Sequence, residues 1–266
     1  MNRIKRKFDE LKGKKEKALV GFLTAGDPDP SRSLDITTQM CEAGLDVLEL
    51  GVPFSDPTAD GPVIQRSSAR SIAKGTHIST ILKMIKKIRK KTDIPIILFT
   101  YYNPVLAFGV EKLYIEAKKA GADGTLVVDL PPEESDEMTK FWDGDNDFSF
   151  IRLFAPTTPI ERMEKISRAA SGFIYLVSKT GVTGSEGIES SKISKQMETI
   201  RKVSDLPVCV GFGISTPRDV SQIASFADGV VIGSAFERLI ESNINNPELP
   251  SIMAEKVREY KKATIV

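Results

Sequence analysis

The sequence predicts an α/β fold: a single (β/α)8 TIM barrel with an extra N-terminal helix, over residues 1–266. Three observations carry that expectation. Eight short runs rich in β-branched and aromatic residues are spread from end to end, apolar stripes at three-and-four spacing lie between them, and no linker or composition break divides the 266 residues. Eight strand-then-helix units close more naturally into a barrel than into an open doubly wound sheet, which would tend to split into two halves.

Taken in order, the chain opens with a basic stretch in which Ile4, Phe8 and Leu11 recur at helical spacing. That pattern reads as an amphipathic helix closing one end of the domain rather than as an RNA-binding arm. The strand-like runs are Leu19 to Leu23, Val47 to Leu50, Ile96 to Tyr101, Thr125 to Leu130, Phe148 to Phe154, Phe173 to Val177, Val208 to Gly211 and Val230 to Ile232. Between them Ile78, Ile81, Leu82, Ile85 and Ile88, and later Ile193, Met197 and Ile200, mark helix faces. Two helix starts are written as Thr-Pro-x-acid, at Thr158-Pro159-Ile160-Glu161 and Thr216-Pro217-Arg218-Asp219. Each places Thr at the N-cap and Pro at the first helical position.

Composition narrows the function. The 37 basic and 36 acidic residues nearly cancel, which argues against a surface built to grip nucleic acid or an anionic membrane. The start lacks the apolar core of a signal peptide, and no stretch is apolar enough to span a bilayer. Only Cys41 and Cys209 occur. Both read as small buried hydrophobes, so the expected location is a reducing cytoplasm.

Glu49 is the most informative residue. It sits in the apolar run Asp46-Val47-Leu48-Glu49-Leu50-Gly51, where an ionisable group needs a cause. Alternation puts Val47, Glu49 and Gly51 on one face, so Gly51 is expected to leave open space beside the carboxylate. The segment that follows, Val52-Pro53-Phe54-Ser55-Asp56-Pro57-Thr58-Ala59-Asp60-Gly61-Pro62, adds further acids at the C-terminal end of the second strand, the face where barrel chemistry sits.

Across the barrel, strand six leads into Ser178-Lys179-Thr180-Gly181-Val182-Thr183-Gly184-Ser185, strand seven into Gly211-Phe212-Gly213-Ile214-Ser215, and strand eight into Gly233-Ser234. Glycines at 184, 213 and 233 let backbone N–H groups approach an anion, and a helix opening after Ser234 would add its dipole. Together they predict a phosphate cradle. The one histidine, His77, falls at a helix start and reads as a solvated surface residue, so neither a histidine-rich metal set nor a Ser-His-Asp triad is available. Glu49, Asp56 and Asp60 lack compact ligand spacing for Mg²⁺, and no metal is expected.

The blocks Glu49 to Pro57 with Ala59-Asp60-Gly61-Pro62, Tyr175-Leu176-Val177-Ser178 with Thr180 to Gly184, and Gly211 to Ser215 resemble the tryptophan synthase α subunit family, in order and over essentially the whole chain. The resemblance implies a lyase that cleaves indole-3-glycerol phosphate to indole and glyceraldehyde 3-phosphate without a cofactor of its own. It also implies an α2β2 complex with a pyridoxal-phosphate β subunit that receives the indole. Glu49 then matches the catalytic acid and base, and Asp60 the acceptor of the indole N–H. Phe22, Phe99, Tyr101, Tyr175 and Phe212 match positions near the indole or the acid. Gly184, Gly213, Gly233 and Ser234 match the phosphate cradle, and Thr183 a loop latch onto Asp60. The Asp56-Pro57 loop and the Asn103-Pro104 and Pro131-Pro132 turns match surfaces near the β subunit. An alternative role for Asp60 is to cap the helix that follows Gly61-Pro62.

Two other functions remain open at this point. Lys179 stands where the family often carries Arg, and a lysine at a strand end could serve an imine-forming aldolase on a phosphosugar. A subunit kept mainly to bind and activate a partner would leave the acids idle and make the phosphate site regulatory.

Overall fold

The computed structural model describes residues 2–142, 144–177, 190–211 and 213–265. Eight parallel strands close into a barrel in sequence order. They are β1 (Ala18–Thr24), β2 (Val47–Gly51), β3 (Ile96–Thr100), β4 (Gly124–Val127), β5 (Ser149–Phe154), β6 (Ile174–Val177), β7 (Val208–Gly211) and β8 (Gly229–Ile232). Every predicted run overlaps one of them, and β1, β2, β4 and β8 reach one residue beyond the run at one end or both. The runs drawn to Tyr101 and Leu130 end earlier, because those positions already belong to the connections at the C-terminal face.

Among the described residues the helices are α1 (Arg3–Lys14), α2 (Pro30–Glu42), α3 (Pro62–Ala73), α4 (Ile78–Ile88), α5 (Tyr102–Phe108), α6 (Val110–Ala120), α7 (Asp136–Thr139), α8 (Ile160–Arg168), α9 (Ser190–Ile200), α10 (Pro217–Ala224), α11 (Ser234–Ser242) and α12 (Leu249–Lys262). The Thr216 start is as predicted: its side chain and that of Asp219 form a reciprocal capping box with Pro217 in the first turn. The Thr158 start differs by one residue. Pro159 is the N-cap of α8, and the Thr158 hydroxyl accepts the Ala155 N–H at 2.9 Å instead of capping the helix.

Two apolar layers follow from strand alternation. Leu48, Leu50, Ile96 and Leu98 point outward into the helices, while Val20, Val47, Ile97, Leu126, Ile151, Tyr175, Cys209 and Val231 fill the barrel interior. Helix α1 plugs the N-terminal end: Ile4, Phe8 and Leu11 are buried in that inner cluster, and the Phe8 ring lies 5.9 Å from Phe173. Burial of each such side chain is worth about 2 kcal/mol, and Asn2 caps the helix by accepting the Ile4 and Lys5 N–H groups. Closing one end in this way leaves the opposite, C-terminal end for chemistry. Cys41 and Cys209 are buried free thiols, and His77 is an exposed N-cap residue whose Nδ1 pairs with the Thr80 hydroxyl.

Candidate active site

Glu49 lies inside the barrel in register with Phe22 of β1 and Ile97 of β3. Its side chain is completely buried, and among the described residues neither carboxylate oxygen has a hydrogen-bond partner. Burial alone pushes its pKa from 4.5 to about 8, so the carboxyl is mostly protonated at neutral pH. The space that Gly51 was expected to leave open is filled. A Cβ there would lie 2.6 Å from the Phe22 Cζ, so the glycine accommodates the Phe22 ring at the mouth of the barrel.

Asp60 sits on the connection after β2, directly ahead of α3. It does not cap that helix: Gly61 is the N-cap and no side chain bonds there. Its carboxyl is pushed up to about 6 by burial, against which a hydrogen bond from the Tyr101 hydroxyl acts to hold the ionised form. The same hydroxyl accepts the Ala59 N–H at 3.0 Å, and the Tyr101 ring packs 5.3 Å from Phe54. Tyr101 thus braces the acidic loop at two adjacent residues.

A cavity opens at this face of the barrel. Phe22, Phe99 and Tyr175 wall one side, with Phe22 set edge-on to Phe99 at 5.0 Å and Phe99 to Tyr175 at 6.4 Å. Asp60, Gly213, Gly233 and Ser234 also line it, with Gly233 beside Phe22: a Cβ there would lie 3.4 Å from the Phe22 Cδ1. The cavity therefore joins an aromatic slot, a carboxylate and the glycine loops after β7 and β8. Tyr101 and Glu49 do not line it. Glu49 lies close enough to Tyr175 that its charge, with that of Asp60, adds to burial in raising the Tyr175 hydroxyl well above its usual pKa. That hydroxyl occupies the space where a side chain on Gly211 would stand.

Gly213 has φ +75°, a conformation that favours glycine, and no described residue lies within 4 Å of where its Cβ would be. Gly233 is the N-cap of α11, and Ser234 is the first residue of that helix. The amide dipoles of α11 thus point toward the glycine loops, as an anion site requires. Lys179, Thr183, Gly184 and Phe212 lie outside the described residues.

Several cavity residues were not singled out from the sequence. Val63 and Ile64, from the first turn of α3, and Ile214 complete the apolar wall. Val231 was legible in principle, because alternation along β8 puts it on the inner face between Gly229 and Gly233. Glu237 and Arg152 are also buried charged side chains. Arg152 lies over the Phe150 ring at 3.9 Å and bonds the Ser135 hydroxyl and the Leu130 carbonyl, outside the barrel interior.

The tryptophan synthase alpha chain family model matches residues 8–265. The chain is 60% identical over 264 residues to the tryptophan synthase alpha chain of Desulfosudis oleivorans and 58% identical over 264 residues to that of Desulfatibacillum aliphaticivorans, covering 99% of both chains in each case. Its fold superposes on tryptophan synthase subunit alpha of Legionella pneumophila with TM-score 0.90 at 38% identity, covering 99% of this chain and 98% of that one. A chain of Mycobacterium tuberculosis tryptophan synthase gives TM-score 0.91 at 30% identity, covering 100% and 99%. Matched by the family model over residues 8–265 and by relatives over 99% of its length, the chain belongs to the tryptophan synthase alpha chain family.

Proposed function

We infer that this chain carries out the reaction of its family, retro-aldol cleavage of indole-3-glycerol phosphate to indole and glyceraldehyde 3-phosphate, with Glu49 as acid and base. The observation that carries the assignment of Glu49 is its fully buried, unpaired carboxyl with a pKa near 8. Such a group holds a proton at neutral pH yet can release it, which is what a shuttle needs.

Cleavage begins with proton transfer from Glu49 to C3 of the indole, which makes an iminium-like ring. Electrons of the adjacent C–C bond flow into that ring as the bond breaks. The hydroxyl on the departing carbon gives up its proton to the Glu49 carboxylate and becomes the aldehyde, so acid and base are restored together. Asp60, ionised above about pH 6, accepts the indole N–H and stabilises the positive charge that develops on the ring. Phe22, Phe99 and Tyr175 sandwich the indole, while Gly213, Gly233 and Ser234 hold the phosphate; Gly184, expected to join them, lies outside the described residues. Tyr101 acts on the indole end through Asp60 rather than by contact.

The partner is a tryptophan synthase β subunit in an α2β2 complex that consumes the indole. Asp56, Asn103 and the half-exposed Leu106 follow β2 and β3 and stand on the same face of the barrel as the cavity, with the Pro131-Pro132 turn after β4. A cytoplasmic location fits the two free thiols, and among the described residues no helix is long and apolar enough to cross a membrane.

The test is an assay of the purified chain with indole-3-glycerol phosphate, with and without a β subunit. Glu49→Gln should lose cleavage, whereas Lys179→Met should keep the bulk of it. Full turnover by Glu49→Gln would sink the mechanism, and a borohydride-trapped adduct on Lys179 would replace it with imine chemistry.

A further inference from the structure

Glu237 is a second fully buried carboxyl, and the reaction as written does not use it. It lies in the first turn of α11, three residues beyond Ser234. Its Oε1 accepts the Thr24 N–H at 2.7 Å, where β1 ends two residues past Phe22. Among the described residues no donor meets Oε2, and the carboxyl of Asp27 stands close beside the Glu237 side chain.

Asp27 is held from its other side. Arg70 of α3 donates to it through Nε at 2.9 Å and Nη2 at 2.8 Å, and its Nη1 donates to Glu241, one turn beyond Glu237, at 2.8 Å. Arg66 clamps Glu241 with two bonds of 2.7 Å. Two carboxyls touching in a buried site share one proton. The bidentate guanidinium already pairs with Asp27, so the geometry favours the shared proton on Glu237. Burial and the Asp27 charge both raise the pKa of Glu237, with the Thr24 N–H bond and then Arg70 opposing them.

The location gives this neutral acid a consequence. Helix α11 begins in the cavity lining at Gly233 and Ser234, α3 begins just behind Asp60, and Thr24 bonds Ser67 of α3 through its hydroxyl at 2.6 Å. One carboxyl therefore joins the helix at the phosphate end, the strand that carries Phe22 and the helix that follows Asp60. An ionised side chain at this position would put a negative charge behind the N–H groups that meet a phosphate dianion.

We propose that Glu237 is a positioning residue for the phosphate end of the substrate: as a neutral acid it ties the first turn of α11 to Thr24 and Asp27, and so presents the Gly233 and Ser234 amides to the anion with no charge behind them. The proposal rests on the reading of Gly213, Gly233 and Ser234 as the phosphate cradle.

Glu237→Gln and Glu237→Leu separate it from a general structural role. The glutamine amide can donate to Asp27 and its carbonyl can accept from Thr24, whereas leucine does neither. Glu237→Gln should keep KM for indole-3-glycerol phosphate within about twofold of the parent, and Glu237→Leu should raise it about tenfold with kcat changed less than about threefold. The infrared difference between the parent and Glu237→Gln near neutral pH should show loss of the C=O stretch of a protonated carboxyl. Carboxylate bands in that difference, or a Glu237→Gln chain with KM raised as in the leucine variant, would overturn the proposal. Should Glu237→Leu not fold, the glutamine variant and the spectrum decide it alone. Ser234→Asp, which sets a charge in the cradle itself, should abolish binding of glycerol 3-phosphate. Unchanged binding there would overturn the phosphate reading together with the role of Glu237, whereas failure confined to the Glu237 measurements overturns only the latter.

Discussion

Phe22 fills the space that Gly51 leaves: a Cβ at position 51 would stand 2.6 Å from the Phe22 Cζ and 2.8 Å from its Cε2. The two residues lie on neighbouring strands, β1 and β2, one pleat apart in register. The missing side chain in β2 thus sets where an aromatic wall of the cavity stands.

Gly51→Ala should therefore act through Phe22. The added methyl must push the ring toward the cavity or strain the strand, a cost of about 1–3 kcal/mol. We expect kcat/KM for indole-3-glycerol phosphate to fall at least about tenfold. Phe22→Leu, poor by itself, should recover part of that loss in the double variant, and strict additivity in the cycle would show that the two positions act independently.

What could be read from the sequence divides along the same line between local and distant contacts. Strands, the plug helix α1 and the capping box at Thr216 were legible because period, composition and capping chemistry are written in adjacent residues. The start of α8 was misplaced by one residue because the Thr158 hydroxyl had a second local partner, the Ala155 N–H. Glu49 stood out because a carboxyl in an apolar run is anomalous. Its surroundings did not, since the ring that occupies the Gly51 space comes from another strand. Glu237 was silent for the opposite reason: an acid in the first turn of an amphipathic helix looks ordinary, and its partner Thr24 is 213 residues away in the chain.

Thr216 offers a check on the part that was legible. Its side chain accepts the Asp219 N–H at 3.2 Å, and Asp219 returns a bond to the Thr216 N–H at 2.9 Å. Thr216→Ala should lower the unfolding free energy in urea by about 1 kcal/mol. An unchanged midpoint would mean that the box contributes nothing net.

Tyr101 should set the acid limb of the pH profile. Turnover requires Asp60 ionised and Glu49 protonated, so kcat/KM should rise through about pH 6 and fall beyond about pH 8. Removing the Tyr101 hydroxyl removes the bond that favours ionised Asp60, and Tyr101→Phe should move the acid limb upward. The substrate's own phosphate also titrates near about pH 6, but no change at Tyr101 can shift it in free solution. An acid limb that stays in place in Tyr101→Phe would assign it to the substrate rather than to Asp60.

Glu49 should make the chain less stable than it could be. Burial lifts its pKa from 4.5 to about 8 in the folded chain, so across that interval the folded state retains a proton that the unfolded state releases. The stabilisation from this group is complete below about pH 4.5 and is lost as pH rises toward about 8, amounting to a loss on the order of 3 kcal/mol by about pH 7. Glutamine has the shape of the protonated acid and cannot titrate. Glu49→Gln should therefore match the parent chain in urea unfolding near pH 4.5 and exceed it by roughly that margin at about pH 7, while losing cleavage. Equal stability at both pH values would mean that the carboxyl is solvated in the folded chain, and the proton shuttle would lose its physical basis.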